Sequence, residues 1–341
     1  MDDRRTEGIT LIDEIVTDAG WNRLSEGVAA RPGFDPQAET AGSLVFDVDG
    51  VLIDTHHSFR EVIPEAVNCY LESALGLIGS VRRMRVEDGE LIAKAGGFNN
   101  DWDVAEAGLI LALWHYRQPA TAPALTDLTD RIAAEGGGLD NLNNVLRSEA
   151  GEIGAREILE DVDRTLLERI FKELYMGETV YREIYSTETR FHEGEGAMSR
   201  ERPTVEGPIW EAVLSCPYGI FTGRIPEEMQ LAAELLGIPE RPGDENVVSD
   251  DGRFPAKPAP DGLIHLAGHL PARPLCYFGD NRDDLTALLN AREQLGADDL
   301  HFICCLTGAS DSESVHWFAA AGAAMIAIGL EEALQVLIPA T

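Results

Sequence analysis

The chain has 341 residues and carries 60 Asp and Glu against 27 Lys and Arg, a formal net charge of −33. Such acidity argues against a nucleic-acid partner, whose phosphate backbone it repels, and against an anionic membrane surface. An apolar content of 44 % over this length provides core for one large or two ordinary domains.

Residues 1–42 read as an N-terminal extension. Leu11-Ile12-Asp13-Glu14-Ile15-Val16 has the pattern of a short amphipathic helix, and Arg31 to Pro36 reads as loop. Met1-Asp2-Asp3-Arg4-Arg5 leads into mixed polar sequence with no apolar segment, so no secretory signal is expected. The longest apolar stretch, Phe318 to Leu330, is too short and too interrupted by glycine to span a bilayer. The five cysteines show no CxxC spacing and read as small buried hydrophobes in a reducing, cytoplasmic setting.

Ser43-Leu44-Val45-Phe46 is an apolar run of the kind found in a strand buried on both faces. Asp47 and Asp49 follow it, then Gly50. In extended backbone, residues two apart point the same way, so both carboxylates reach one small volume. Carboxylates held that close repel unless a cation or a proton lies between them. A calcium loop of the EF-hand type needs a third acid before its glycine and a glutamate at position twelve, where this chain has Ser58.

From residue 55 to 206 the pattern becomes helical. Helices are predicted over His57–Leu75, Trp102–Trp114, Leu125–Ala134, Ile158–Leu174 and Val180–Tyr185. Gly136-Gly137-Gly138 breaks the series, and His192 to Pro208, rich in Gly and Pro, reads as a return linker.

Strands and helices then alternate to the end, as in a parallel sheet covered by helices on both faces. The strand Tyr218–Phe221 ends in Thr222-Gly223-Arg224, where Thr222 either caps a helix or binds a phosphoryl oxygen. Lys257 stands between prolines in Pro255-Ala256-Lys257-Pro258-Ala259-Pro260 and is one of only three lysines beside 24 arginines. A compact ammonium suits a phosphate or an aspartate differently from a guanidinium fork. The strand Leu275–Phe278 ends in Gly279-Asp280-Asn281-Arg282-Asp283-Asp284. Helices over Glu227–Leu236, Asp284–Leu295, Ser314–Ala321 and Glu331–Leu337, with strands His301–Leu306 and Ala324–Ile328, complete the pattern. Scarce lysine with abundant acid matches salt-adapted proteins, although a GC-rich gene also exchanges Lys for Arg.

The ordered series FDVDGVLID, FTGR, the lysine of PAKPAP and FGDNRDD resembles the four motifs of the haloacid dehalogenase-like superfamily, in its phosphatase branch. It is most similar to the subfamily IA, phosphoglycolate-phosphatase-like members. The resemblance implies an α/β fold: a Rossmann-like parallel core from residues 43–54 and 207–341, with an inserted all-helical cap of the C1 type over residues 55–206.

The resemblance also implies roles. Asp47 would be the nucleophile that forms an aspartyl-phosphate, and Asp49 the acid and base. Thr222 and Gly223 would bind the phosphoryl group, and Lys257 would offset its charge. Magnesium would be held by Asp47, the Asp49 carbonyl, Asp280 and Asp284, with Asp283 the alternative to Asp284. In the cap, Asn99, Asn100 and Arg60 are candidate contacts to the substrate, a small phosphorylated metabolite. Dehalogenating relatives lack the second aspartate of the first motif, so Asp49 points to phosphoryl transfer. A phosphomutase of the same subfamily and a non-enzymatic receiver-like module that accepts a phosphoryl group remain alternatives. The oligomeric state stays open.

Overall fold

In the computed structural model, which describes residues 2–39, 42–77, 79, 81–98, 101–306 and 311–338, ten strands form. They are β1 (Asn22–Ser25), β2 (Val28–Ala30), β3 (Ser43–Phe46), β4 (Ile53–Asp54), β5 (Arg202–Pro203), β6 (Tyr218–Phe221), β7 (Val247–Val248), β8 (Leu275–Gly279), β9 (Leu300–Cys305) and β10 (Met325–Ala327). Eight make one sheet in the order β1-β2-β10-β9-β8-β3-β6-β7. From β10 to β7 every neighbouring pair is parallel. The chain passes from β3 to β6 and β7 on one side, then returns to β8 on the other. Strand order therefore reverses beside β3, and in open α/β sheets the crevice beyond the strand ends at such a point is where ligands bind.

All four residues of β3 are buried. Leu44 and Phe46 face one layer with Trp210, Val213 and Leu334, whereas Val45 faces the other with Leu263, Leu288 and Phe318. Both faces being covered explains why the strand reads as an unbroken apolar run rather than an alternation.

The chain divides into two compact units, residues 1–54 with 202–341, and residues 55–201. The first unit holds the sheet. The second is helical, with helix Phe59–Cys69 packed against helices Asp101–Arg117 and Arg164–Tyr185. Phe59 stacks on Phe171 and Tyr175, at ring-centroid distances of 6.0 and 4.3 Å. Glu173, fully buried, accepts hydrogen bonds from Arg169 Nε and the Arg190 and Phe191 amides.

Several elements differ from the sequence pattern. The first helix begins at Asp2, not Leu11, and runs to Asp18. Within the expected extension, β1 and β2 form a hairpin; β2 pairs antiparallel with β10 and so enlarges the sheet. The helix predicted through Leu75 ends at Cys69 and passes into a π-helical turn, Tyr70–Ala74. Ile158 lies near the end of helix Gly138–Leu159, not at the start of the next one, which begins after Asp163. The Asp163 carboxylate caps that helix by accepting from the Leu166 amide at 3.1 Å. Helices Val86–Lys94, Gly207–Leu214 and Asp261–His269 add to the predicted set. No helix among the described residues is long and apolar enough to cross a membrane.

Candidate active site

The site grows from the C-terminal ends of three adjacent strands. Phe46 pairs with Phe278 of β8 and with Ile220 of β6, so Asp47 leaves the sheet level with Gly279 and Phe221, one residue before Thr222. The Asp47 amide still donates to the Phe278 carbonyl at 2.9 Å. The chain then turns sharply, with the Leu52 and Ile53 amides both donating to the Val48 carbonyl at 2.9 Å. Gly50 is needed twice in this turn. Its φ is +74°, and a Cβ there would lie 2.0 Å from Oδ2 of Asp280.

Asp47 is 4 % exposed. Its Oδ1 accepts from the Val48 amide at 2.8 Å and is paired with Lys257 Nζ at 2.9 Å. Lys257 also reaches Asp284 Oδ1 at 2.8 Å. Asp284 is fully buried and takes three further donors: the Tyr277 hydroxyl at 2.6 Å and the Asp280 and Asn281 amides at 3.2 and 3.3 Å. The Asn281 side chain caps the following helix by accepting from the Asp284 amide at 3.0 Å. One oxygen each of Asp47, Asp280 and Asp284 lies within 4.8 Å of the others. Asp283 is not part of this cluster.

Burial pushes the Asp47 carboxyl up to about 7; Lys257 opposes this, and Asp284 and Asp49 add to it. Burial lowers the Lys257 ammonium, but Asp284 and Asp47 outweigh it and hold the group above the ordinary lysine value. Lys257 therefore stays charged. Burial and the Asp284 charge raise Tyr277 well above the usual phenol value, which keeps it a donor. The carboxylates outnumber this one ammonium, and a divalent cation among Asp47, Asp280 and Asp284 would lower the Asp47 pKa.

Thr222 is 3 % exposed, and its Oγ1 accepts from the Arg224 amide at 3.1 Å. That bond leaves the hydroxyl proton to be donated elsewhere. Arg224, 2 % exposed, sends its side chain back to Asp49: Nη2 is 2.7 Å from Oδ1, and Nε is 3.0 and 3.2 Å from Oδ1 and Oδ2. Asp47, Asp49, Thr222, Gly223, Lys257, Asp280 and Asp284 thus all lie at the strand ends of the first unit. Arg60 belongs to the helical unit, where its guanidinium meets Glu90 at 3.2 Å. Asn99 and Asn100 lie outside the described residues.

The sequence pattern alone gives no role to Arg224 or Tyr277. Tyr277 reads as one more strand residue. Arg224 directly follows Thr222-Gly223, and that position is the only signal for it.

The sequence profile of the family described as haloacid dehalogenase-like hydrolases matches residues 43–292, which include all these strand-end residues. The chain belongs to that family, and it is a hydrolase. Among solved structures it is similar to phosphatase Tt82 from Thermococcus thioreducens, with 25 % identity, a TM-score of 0.53, and coverage of 82 % of this chain and 100 % of that one. A structural-genomics target matches with 18 % identity and a TM-score of 0.57, over 87 % of this chain and 98 % of its own. A family IA, variant 3 hydrolase from Entamoeba histolytica matches with 14 % identity and a TM-score of 0.44, over 87 % and 98 %. No curated protein matches the sequence.

Proposed function

We propose that the protein is a Mg²⁺-dependent phosphatase that hydrolyses a small phosphorylated metabolite through an aspartyl-phosphate on Asp47. One observation carries this reading. The Lys257 ammonium lies 2.9 Å from Asp47 and 2.8 Å from Asp284, beside a three-carboxylate cluster at the end of a central parallel strand. The likeness to a Thermococcus protein described as a phosphatase supports it.

Three hard oxygen donors within 4.8 Å of one another fit a small divalent cation such as Mg²⁺. Asp47, Asp280, Asp284 and the Asp49 main-chain carbonyl would hold it. Asp284 also accepts from Lys257, Tyr277 and the Asp280 and Asn281 amides, and so orients Lys257 and the Asp280 loop. When bound, the ion supplies positive charge that keeps Asp47 ionised and neutralises phosphoryl oxygens.

The protein's own residues then act in two halves. An Asp47 oxygen attacks phosphorus, the bond to the leaving oxygen breaks, and Asp49 gives that oxygen its proton. Asp49, now a carboxylate, takes a proton from water as the water attacks phosphorus, and the bond to Asp47 breaks. Alcohol and inorganic phosphate are the products, and Asp47 and Asp49 return to their starting states. Thr222 Oγ1–H and the amides around Gly223 donate to the equatorial oxygens, and Lys257 offsets their charge.

The all-helical unit inserted after Asp54 is read as the C1-type cap of subfamily IA. Asn99, Asn100 and Arg60 are its candidate substrate contacts, and a cytoplasmic location is part of the same reading. The test is phosphate release from p-nitrophenyl phosphate with Mg²⁺, with EDTA, and in Asp47→Asn, followed by a panel of phosphorylated metabolites. Release that survives both EDTA and the substitution overturns the assignment.

A further inference from the structure

Arg224 is the most buried cation of the site, with a side chain only 1 % exposed against 36 % for Asp49. Both its nitrogens that face Asp49 are engaged, Nε with both carboxylate oxygens and Nη2 with Oδ1. Its Nη1 lies 3.5 Å from the Glu228 carbonyl, within the helix that follows. Its main chain is fixed as well: the amide donates to Thr222 Oγ1, and the carbonyl accepts from the Asp250 amide at 2.9 Å. Arg224 is thus anchored on β6 and the segment after β7, and it grips a carboxylate 175 residues earlier in the chain. A half-exposed aspartate in a turn has several open rotamers. A planar guanidinium that addresses both its oxygens leaves it far fewer.

The geometry points to Arg224 as a positioning residue for Asp49. Its fork fixes the carboxylate that serves as acid and then base, while its amide turns the Thr222 hydroxyl proton toward the phosphoryl group. This rests on the phosphatase reading above. Arg224 acts through Asp49 and the Thr222 hydroxyl rather than on the phosphoryl group itself. Because its amide is main chain, a side-chain substitution leaves the Thr222 contact in place and isolates the Asp49 contribution. Lysine cannot reproduce the fork, so Arg224→Lys retains charge but loses the two-point hold.

The test separates the two halves of the reaction with 2,4-dinitrophenyl phosphate, whose leaving group needs no proton, and a simple alkyl phosphate, whose leaving group does. In Arg224→Lys with Mg²⁺, the dinitrophenolate burst, one equivalent per site, keeps its wild-type rate. Steady turnover of the same substrate falls by about 10²-fold, because the base step is impaired. With the alkyl phosphate no burst appears and kcat falls by a similar factor, with KM little changed. An equal fall in burst rate and turnover on the dinitrophenyl ester would overturn the proposal, as would wild-type turnover on both substrates. The pair Asp49→Asn and Asp49→Asn/Arg224→Gln decides the same question should Arg224→Lys not fold. The burst and turnover of the double variant should match those of the single, and a further loss of about tenfold would show that Arg224 acts by another route. Failure of the phosphatase reading itself looks different: the wild-type protein then releases no phosphate from either ester.

Discussion

Lys257 Nζ lies 2.9 Å from Asp47 and 2.8 Å from Asp284, so one ammonium joins the end of β3 to the start of the helix after β8. The Lys257 side chain is 10 % exposed, Asp47 6 % and Asp284 0 %. Removing the one ammonium leaves two buried carboxylates without compensation, which typically costs about 3–5 kcal/mol. Lys257→Met should therefore lower the urea midpoint and reduce kcat on p-nitrophenyl phosphate by about 10²-fold or more. Added Mg²⁺ should restore part of the stability but not the rate. Unchanged kcat would show that the ammonium does not act in catalysis.

The raised Asp47 carboxyl has a consequence for stability without divalent metal. Its ordinary value is 3.8 and its folded value about 7. Between those values the folded state binds the extra proton, so stability falls as pH rises through the window and the penalty is complete above it. Asp47→Asn removes the penalty and leaves Lys257 paired with Asp284. In EDTA the variant should be more stable than wild type at pH 8, by an amount on the order of a few kcal/mol, with the difference vanishing near pH 4. Urea unfolding at the two pH values reads this directly. A variant less stable than wild type at pH 8 would contradict it.

Gly50 has a positive φ and a Cβ position 2.0 Å from Asp280 Oδ2. Gly50→Ala must strain the turn and push the Asp280 carboxylate aside. The Mg²⁺ concentration for half-maximal activity should rise by about tenfold or more, as expected when a ligand is displaced, while far-UV circular dichroism stays unchanged. An unaltered Mg²⁺ titration would remove Asp280 from the metal site.

The net charge of −33 opposes compaction in dilute buffer, where screening is weakest. The melting temperature should rise as KCl is taken to molar concentrations. Highest stability in dilute buffer would show that local ion pairs have already absorbed the repulsion, and would favour a GC-rich gene as the origin of the Arg-for-Lys exchange.

Much of the core is legible in the sequence because its strands are buried on both faces, as at Ser43–Phe46, where the apolar run has no polar interruption. Asp47, Thr222 and Asp280 are legible for a related reason, since each ends or follows such a run, whereas Lys257 is legible from its flanking prolines and the scarcity of lysine. Other elements depend on partners far away in the chain. β2 is three residues long and takes its place from pairing with β10. β7 is two residues long and exists through its pairing with β6. In helix Val86–Lys94 the mid-helix Gly89 weakens the helical signal, and the helix takes its place from packing against helices Phe59–Cys69 and Asp101–Arg117. Arg224 reads as an ordinary surface cation until the fold brings Asp49 to it, and nothing in the local pattern shows that its side chain is buried.

The most direct test is mass spectrometry of wild-type protein acid-quenched during turnover of p-nitrophenyl phosphate with Mg²⁺. The expected result is one phosphoryl group on the peptide that contains Asp47, absent in Asp47→Asn and absent when EDTA replaces Mg²⁺. Turnover without any phosphoryl-enzyme, or a phosphoryl group on a peptide lacking Asp47, would contradict the proposed role of that aspartate.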